Sequence, residues 1–92
     1  MAKNFQINAK AKGRNNLNIR LTGDFDGSAA LELLDVIEKA TPRYTQVAVE
    51  THGLRNVYSF GLEIITSKMA HQNVYGTNIV FTGRFRSAFS EG

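Results

Sequence analysis

The sequence predicts an α/β domain, a mixed four-stranded sheet with two main helices on one face and a short C-terminal helix. Three observations lead there. Apolar residues alternate at a period of two near the N-terminus, then change to spacings of three and four after Gly23. Two later runs of β-branched residues flank a second helical stretch. No repeat, low-complexity run or linker interrupts the 92 residues, so 1–92 reads as one domain with one core and a net stability of about 5–14 kcal/mol.

The first strand is Phe5 to Lys10, where Phe5, Ile7 and Ala9 alternate with Gln6, Asn8 and Lys10. It is short and reads as an edge. Gly13-Arg14-Asn15-Asn16 supplies residues that tolerate positive φ, and Leu17, Ile19 and Leu21 resume the alternation, which makes a hairpin. After Gly23-Asp24-Phe25-Asp26-Gly27, residues Ala30, Leu33, Leu34, Ile37 and Ala40 form one helical stripe beginning near Ser28, with Asp26 or Ser28 as cap and Pro42 as stop.

Thr45 to Thr51 reads as a third strand, and the unbroken run Val47-Ala48-Val49 suits a central position better than an edge. A loop, His52 to Tyr58, leads to a second helix from Ser59 or Phe60 to Gln72, with Leu62, Ile65 and Met69 as its stripe and Ile64 beside it. Asn73 to Thr77 carries turn residues, Asn78 to Thr82 a fourth strand, and Phe85, Ala88 and Phe89 the spacing of a short terminal helix. Successive right-handed crossovers advancing in one direction put both main helices on the same face of the sheet. Both stripes need that sheet to bury against.

Composition removes several classes of function. Hydrophobic residues make up 42% and charged residues 21%, a globular balance, and the absence of cysteine excludes disulfide frameworks, cysteine-based zinc sites and thiol chemistry. Cytoplasmic localisation is the expectation. The N-terminal residues include no apolar signal region, and no stretch approaches the roughly 18 apolar residues of a membrane span, so the domain is not expected to be membrane-embedded. The net charge is +3, and Lys3, Lys10, Lys12, Arg14 and Arg20 all precede the first acid, Asp24. Such a hairpin is a candidate footprint for nucleic acid or acidic lipid, but alternating charges read better as a solvated sheet face with a blunted edge, and no aromatics interleave as a nucleic-acid stacking platform requires.

Two segments resemble a known family. Leu17-Asn-Ile-Arg-Leu-Thr-Gly-Asp-Phe-Asp26 before a helix is similar to the "hydrophobic strand, Gly, acid, apolar, Asp" segment of STAS domains, the bacterial anti-sigma factor antagonists. Val47-Ala-Val-Glu-Thr-His-Gly-Leu-Arg-Asn-Val-Tyr-Ser-Phe-Gly-Leu62 resembles that family's "strand, Gly, apolar loop, Asp-Ser-Ser-Gly-Leu, helix" signature, with Gly53, Ser59, Gly61 and Leu62 in register. The resemblance implies a STAS-like fold over residues 5 to 89, with Ser59 as phosphoacceptor for a partner serine kinase that is itself an anti-sigma factor. A phosphate at a helix N-terminus gains from free N–H groups and the positive end of the dipole, and its charge changes what the loop docks against. Tyr58 replaces the family's acid and Phe60 its second hydroxyl. Paired aromatics suit a protein-binding anchor.

The expected site therefore comprises Ser59 as phosphoacceptor and Asp24, Asp26, Ser28, Arg55, Asn56, Tyr58, Phe60 and Gly61 as partner-binding residues. Tyr58 and Phe60 are either partner contacts or lids over the helix start. Gly61 either keeps the corner open or answers a packing need against the first helix. Asp24 and Asp26 lack a third ligand nearby, so partner recognition is favoured over a metal. His52 and His71 stand beside no recognisable nucleophile, so no enzyme activity, metal or cofactor is expected. The resulting expectation is a protein-interaction domain regulating an anti-sigma factor or serine kinase. A non-phosphorylated docking subunit, as of a lipid transporter or signalling particle, is the alternative, and a homo-oligomer formed through a sheet edge is a further one.

Overall fold

The computed structural model describes residues 4–40, 43–72 and 78–90. The N-terminal alternation pairs as a hairpin: β1 (Gln6–Lys12) runs antiparallel to β2 (Asn16–Phe25), with Ile7 opposite Leu21 and Ala9 opposite Ile19. β1 continues to Lys12, past the expected end at Lys10, because its ladder with β2 holds down to Asn16. Ala9 is exposed, contrary to its place in the alternation. Only Phe5 and Ile7 at this end of the chain reach the core, and β1 packs chiefly on β2.

β2 extends through Phe25, and α1 (Gly27–Ala40) starts almost at once. The Ala29 amide donates to Asp26 Oδ1 at 3.0 Å, so Asp26 is the cap and the helix begins one residue before Ser28. Its expected stripe is buried, joined by Ala29. Pro42 lies outside the described residues.

β3 (Gln46–Val57) departs most from expectation, since the strand continues through the supposed loop as far as Val57 and leaves only Tyr58 before the second helix. Its register with β2 shifts twice, between Arg20 and Thr22 and between Gly23 and Asp24. Each bulge adds a residue on β3, which breaks the period of two and hides the strand from pattern reading. Gly53 makes the first bulge possible: a Cβ there would lie 2.7 Å from the Leu21 carbonyl oxygen.

α2 (Ser59–Gln72) buries Ile65 and half-buries Leu62 and Ile64. The side chains of Met69 and His71 and the turn Asn73 to Thr77 lie outside the described residues. β4 (Asn78–Thr82) runs parallel to β3, which itself runs parallel to β2, so the sheet is mixed with order β1-β2-β3-β4. The short C-terminal helix is α3 (Arg86–Ser90). Its Phe89 is buried, edge-on to Phe25 at 4.9 Å and stacked on Phe81 at 5.1 Å between ring centroids. Buried Thr51 holds this end: its hydroxyl donates to the Thr82 carbonyl at 2.7 Å and accepts from the Phe85 amide at 3.1 Å.

The helix layer covers Leu17, Ile19, Leu21, Val47 and Val49 on one face of the sheet. The other face is polar over β2 and β3 around Glu50. There Asn18 Nδ2 donates to Glu50 Oε2 at 2.6 Å, Arg20 Nε lies 3.4 Å from Glu50 Oε1 and His52 Nδ1 3.7 Å from it. The Asn18 bond holds the Glu50 carboxyl below its ordinary pKa, with help from Arg20 and His52 and against the cost of desolvation.

Candidate functional site

Phe25 and Val57 are paired at the ends of β2 and β3, and each strand enters its helix after a single residue, Asp26 or Tyr58. Two helix N-termini are thereby fixed side by side. The Tyr58 amide donates to the Phe25 carbonyl at 2.9 Å, and the Tyr58 carbonyl accepts from the Leu62 amide at 3.1 Å. Tyr58 thus occupies the capping position of α2, and Ser59 is the first helical residue. A tyrosine offers no short-range acceptor to the first N–H groups. The Ser59 side chain is exposed and its hydroxyl has no hydrogen-bond partner among the described residues.

Gly61 is buried, and a Cβ there would lie 2.7 Å from the Asp26 carbonyl oxygen and 3.1 Å from the Phe25 ring. Of the two expectations for this glycine, the packing one accounts for it: it lets the start of α2 press against the start of α1. The neighbouring side chains are forced outward. Tyr58 is 52% exposed and Phe60 65% exposed, although the Phe60 ring leans over Gly27. One turn along α1 from Gly27, on the same side of that helix, Leu31 is 59% exposed. Sequence reading passed over Leu31, and its one available signal was a leucine standing off the helix stripe.

A polar group lies at the same end of the sheet. Asn56 Nδ2 donates to Asp24 Oδ1 at 2.9 Å, and Arg55 Nη2 lies 3.8 Å from that oxygen. Asp24, Arg55 and Asn56 therefore form one cluster, placed on strands and not in loops. Asp26 spends its carboxylate on the α1 cap and does not converge with Asp24. Ser28 is half-buried in the first turn of α1. Among the described residues no three His, Cys, Asp or Glu side chains gather as a metal site would require, and no helix is long and apolar enough to cross a membrane.

No protein-family model matches the chain, and no curated protein matches it in sequence. Solved structures do match it in fold. The anti-sigma factor antagonist SpoIIAA in its unphosphorylated form superposes with a TM-score of 0.69 at 17% identity, over 91% of this chain and 77% of its own. Mglu gives a TM-score of 0.72 at 15% identity, over 85% of this chain but only 19% of the larger protein. An uncharacterised protein with a SpoIIAA-like fold from Shewanella loihica gives 0.64 at 10% identity, over 91% of this chain and 72% of its own. Superposing on SpoIIAA and on the SpoIIAA-like protein over 91% of its length, the chain has the STAS-like fold of the anti-sigma factor antagonist SpoIIAA.

Proposed function

We propose that this domain regulates a partner protein by docking it at the corner formed by Tyr58, Ser59 and Phe60, with Asp24, Arg55 and Asn56 as a polar flank, and that phosphorylation of Ser59 releases the partner. The observation that carries this reading is the exposure of two aromatic rings around a serine with no hydrogen-bond partner among the described residues, on a backbone pinned by the Phe25 carbonyl and the close approach at Gly61. Rigidly held aromatics lose little freedom on binding and serve as anchors. A phosphate on Ser59 would stand at the first turn of α2, where Tyr58 offers the leading N–H groups no short side-chain acceptor, and would place about −1.5 to −2 charges between the two rings. That charge opposes apolar docking without rearranging the core. An anti-sigma factor or serine kinase is the class of partner that the STAS resemblance supports.

A second reading is a constitutive docking subunit, for example of a lipid transporter, which keeps the corner and dispenses with the switch. It is favoured by Tyr58, which stands where an acid would both cap the helix and orient the serine. Intact-mass measurement with site mapping on protein purified from its native cells, beside Ser59→Ala, separates the two. Phosphate on Ser59 of the wild type alone is the result expected from the switch. An unmodified Ser59 under every growth condition supports the constitutive subunit.

A further inference from the structure

The sheet has two outer edges among its described strands, β1 and β4, and their chemistry differs. β1 carries exposed Lys10 and Lys12, the kind of charge that keeps an edge from pairing with another chain. β4 reads Asn78-Ile79-Val80-Phe81-Thr82, with no charge, no proline and three strong strand formers in its centre. Val80 is 36% exposed on the open face, opposite Ala48, while Ile79 and Phe81 are half-buried under the helices.

We propose that β4 is a self-pairing edge through which two copies of this chain associate antiparallel about Val80, joining two four-stranded sheets into one. The five residues are self-complementary under that two-fold. Val80 faces its own mate, Ile79 faces Phe81, and Asn78 faces Thr82, so apolar meets apolar on both faces and the outer pairs are polar and neutral. Pairing covers the sides of Ile79 and Phe81 that the single sheet leaves half-open. The chain after β4 turns toward β3, where the Phe85 amide meets Thr51 and Phe89 enters the core, so these described residues lead away from the edge. An edge-to-edge β1 pair would instead bring four lysines onto one continuous face. The register leaves the docking corner clear, because β4 pairs only with Gln46 to Glu50 of β3 and the corner lies beyond Val57.

The absence of native cysteine makes the register directly readable. In either type of antiparallel pair, opposed residues have Cα atoms about 4.5–5.5 Å apart, within reach of a disulfide. Val80→Cys is expected to form a covalent dimer on mild oxidation, while Asn78→Cys, whose mate is Thr82, stays largely uncross-linked. Sedimentation equilibrium of the unmodified protein should show mass rising with concentration toward twice that of one chain. Val80→Lys, on the open face, should weaken association at least about tenfold with its melting temperature nearly unchanged. A monomeric mass at all concentrations, a dimer indifferent to Val80→Lys, or equal cross-linking at 78 and 80 each overturns the proposal. So does a β4 edge that pairs with an extended peptide of another protein while this chain remains monomeric.

Discussion

The corner and the hairpin are both exposed, and for opposite reasons. Lys10 and Lys12, on a strand that packs chiefly on its one neighbour, and Arg14 in the turn after it face water because they are charged. Tyr58 and Phe60 face water although they are apolar, because the backbone beneath them leaves no other direction. Phe89 packs on Phe25, the Phe25 carbonyl holds Tyr58, and the Phe25 ring and Asp26 carbonyl crowd Gly61. Exposure over a rigid apolar base marks a surface made for contact, whereas exposure of flexible charge marks solvation.

The sharpest way to break this contrast is to remove its base. Phe89→Ala empties the space between Phe25 and Phe81 and is expected to cost about 3–5 kcal/mol in urea denaturation, a large share of a stability of about 5–14 kcal/mol. Amide exchange from Tyr58 to Leu62 should quicken in the same variant. A loss below about 1 kcal/mol would show that the corner does not rest on this stack.

Gly61→Ala comes next. Helix propensity alone predicts a gain of about 1 kcal/mol, but the added methyl meets backbone that has no rotamer with which to yield. Net destabilisation of about 1–3 kcal/mol is expected from the forced separation of the two helix starts, read as a lower melting temperature. Stabilisation would mean that the helices are not pressed together.

Tyr58→Ala should leave stability within about 0.5 kcal/mol while weakening partner docking by about 2 kcal/mol or more, roughly thirtyfold. Calorimetry with the partner and thermal denaturation of the free protein separate the two effects. Equal losses in both would make Tyr58 a structural lid.

The smallest effect belongs to the open face. Glu50 has a lowered folded-state pKa, so its contribution to stability is present above the ordinary value of 4.5 and is lost as the pH falls through the folded value. Stability should therefore decline faster with acid in the wild type than in Glu50→Gln. Identical pH profiles would remove Glu50 from the account.

Where one period governs, the sequence was legible. The alternation of Leu17, Ile19 and Leu21, the stripe from Ala30 to Ala40 and the run at Val47 to Val49 all stand on the elements expected of them. Reading failed from His52 to Val57, where two bulges shift the parity of a strand that never stops. It failed also at Ala9, because alternation records which side a residue faces and not whether anything covers that side.

At the site, residue types were legible and their division of labour was not. Asp26 is one of the two caps the sequence offers for α1 and takes that place, whereas the approach of its carbonyl to Gly61 is not written in either segment. Close approach depends on which helix starts lie together, and only the assembled sheet decides that. Leu31, an exposed leucine off the α1 stripe, has no partner signal in its own segment.

The most direct test compares capture of partners from native cells by three forms of the protein: wild type, Tyr58→Ala/Phe60→Ala and Lys10→Gln/Lys12→Gln, with bound proteins quantified by mass spectrometry. The account predicts a partner retained by the wild type and the hairpin variant and lost, at least about tenfold, from the corner variant. Retention by the corner variant, with loss from the hairpin variant, would contradict it.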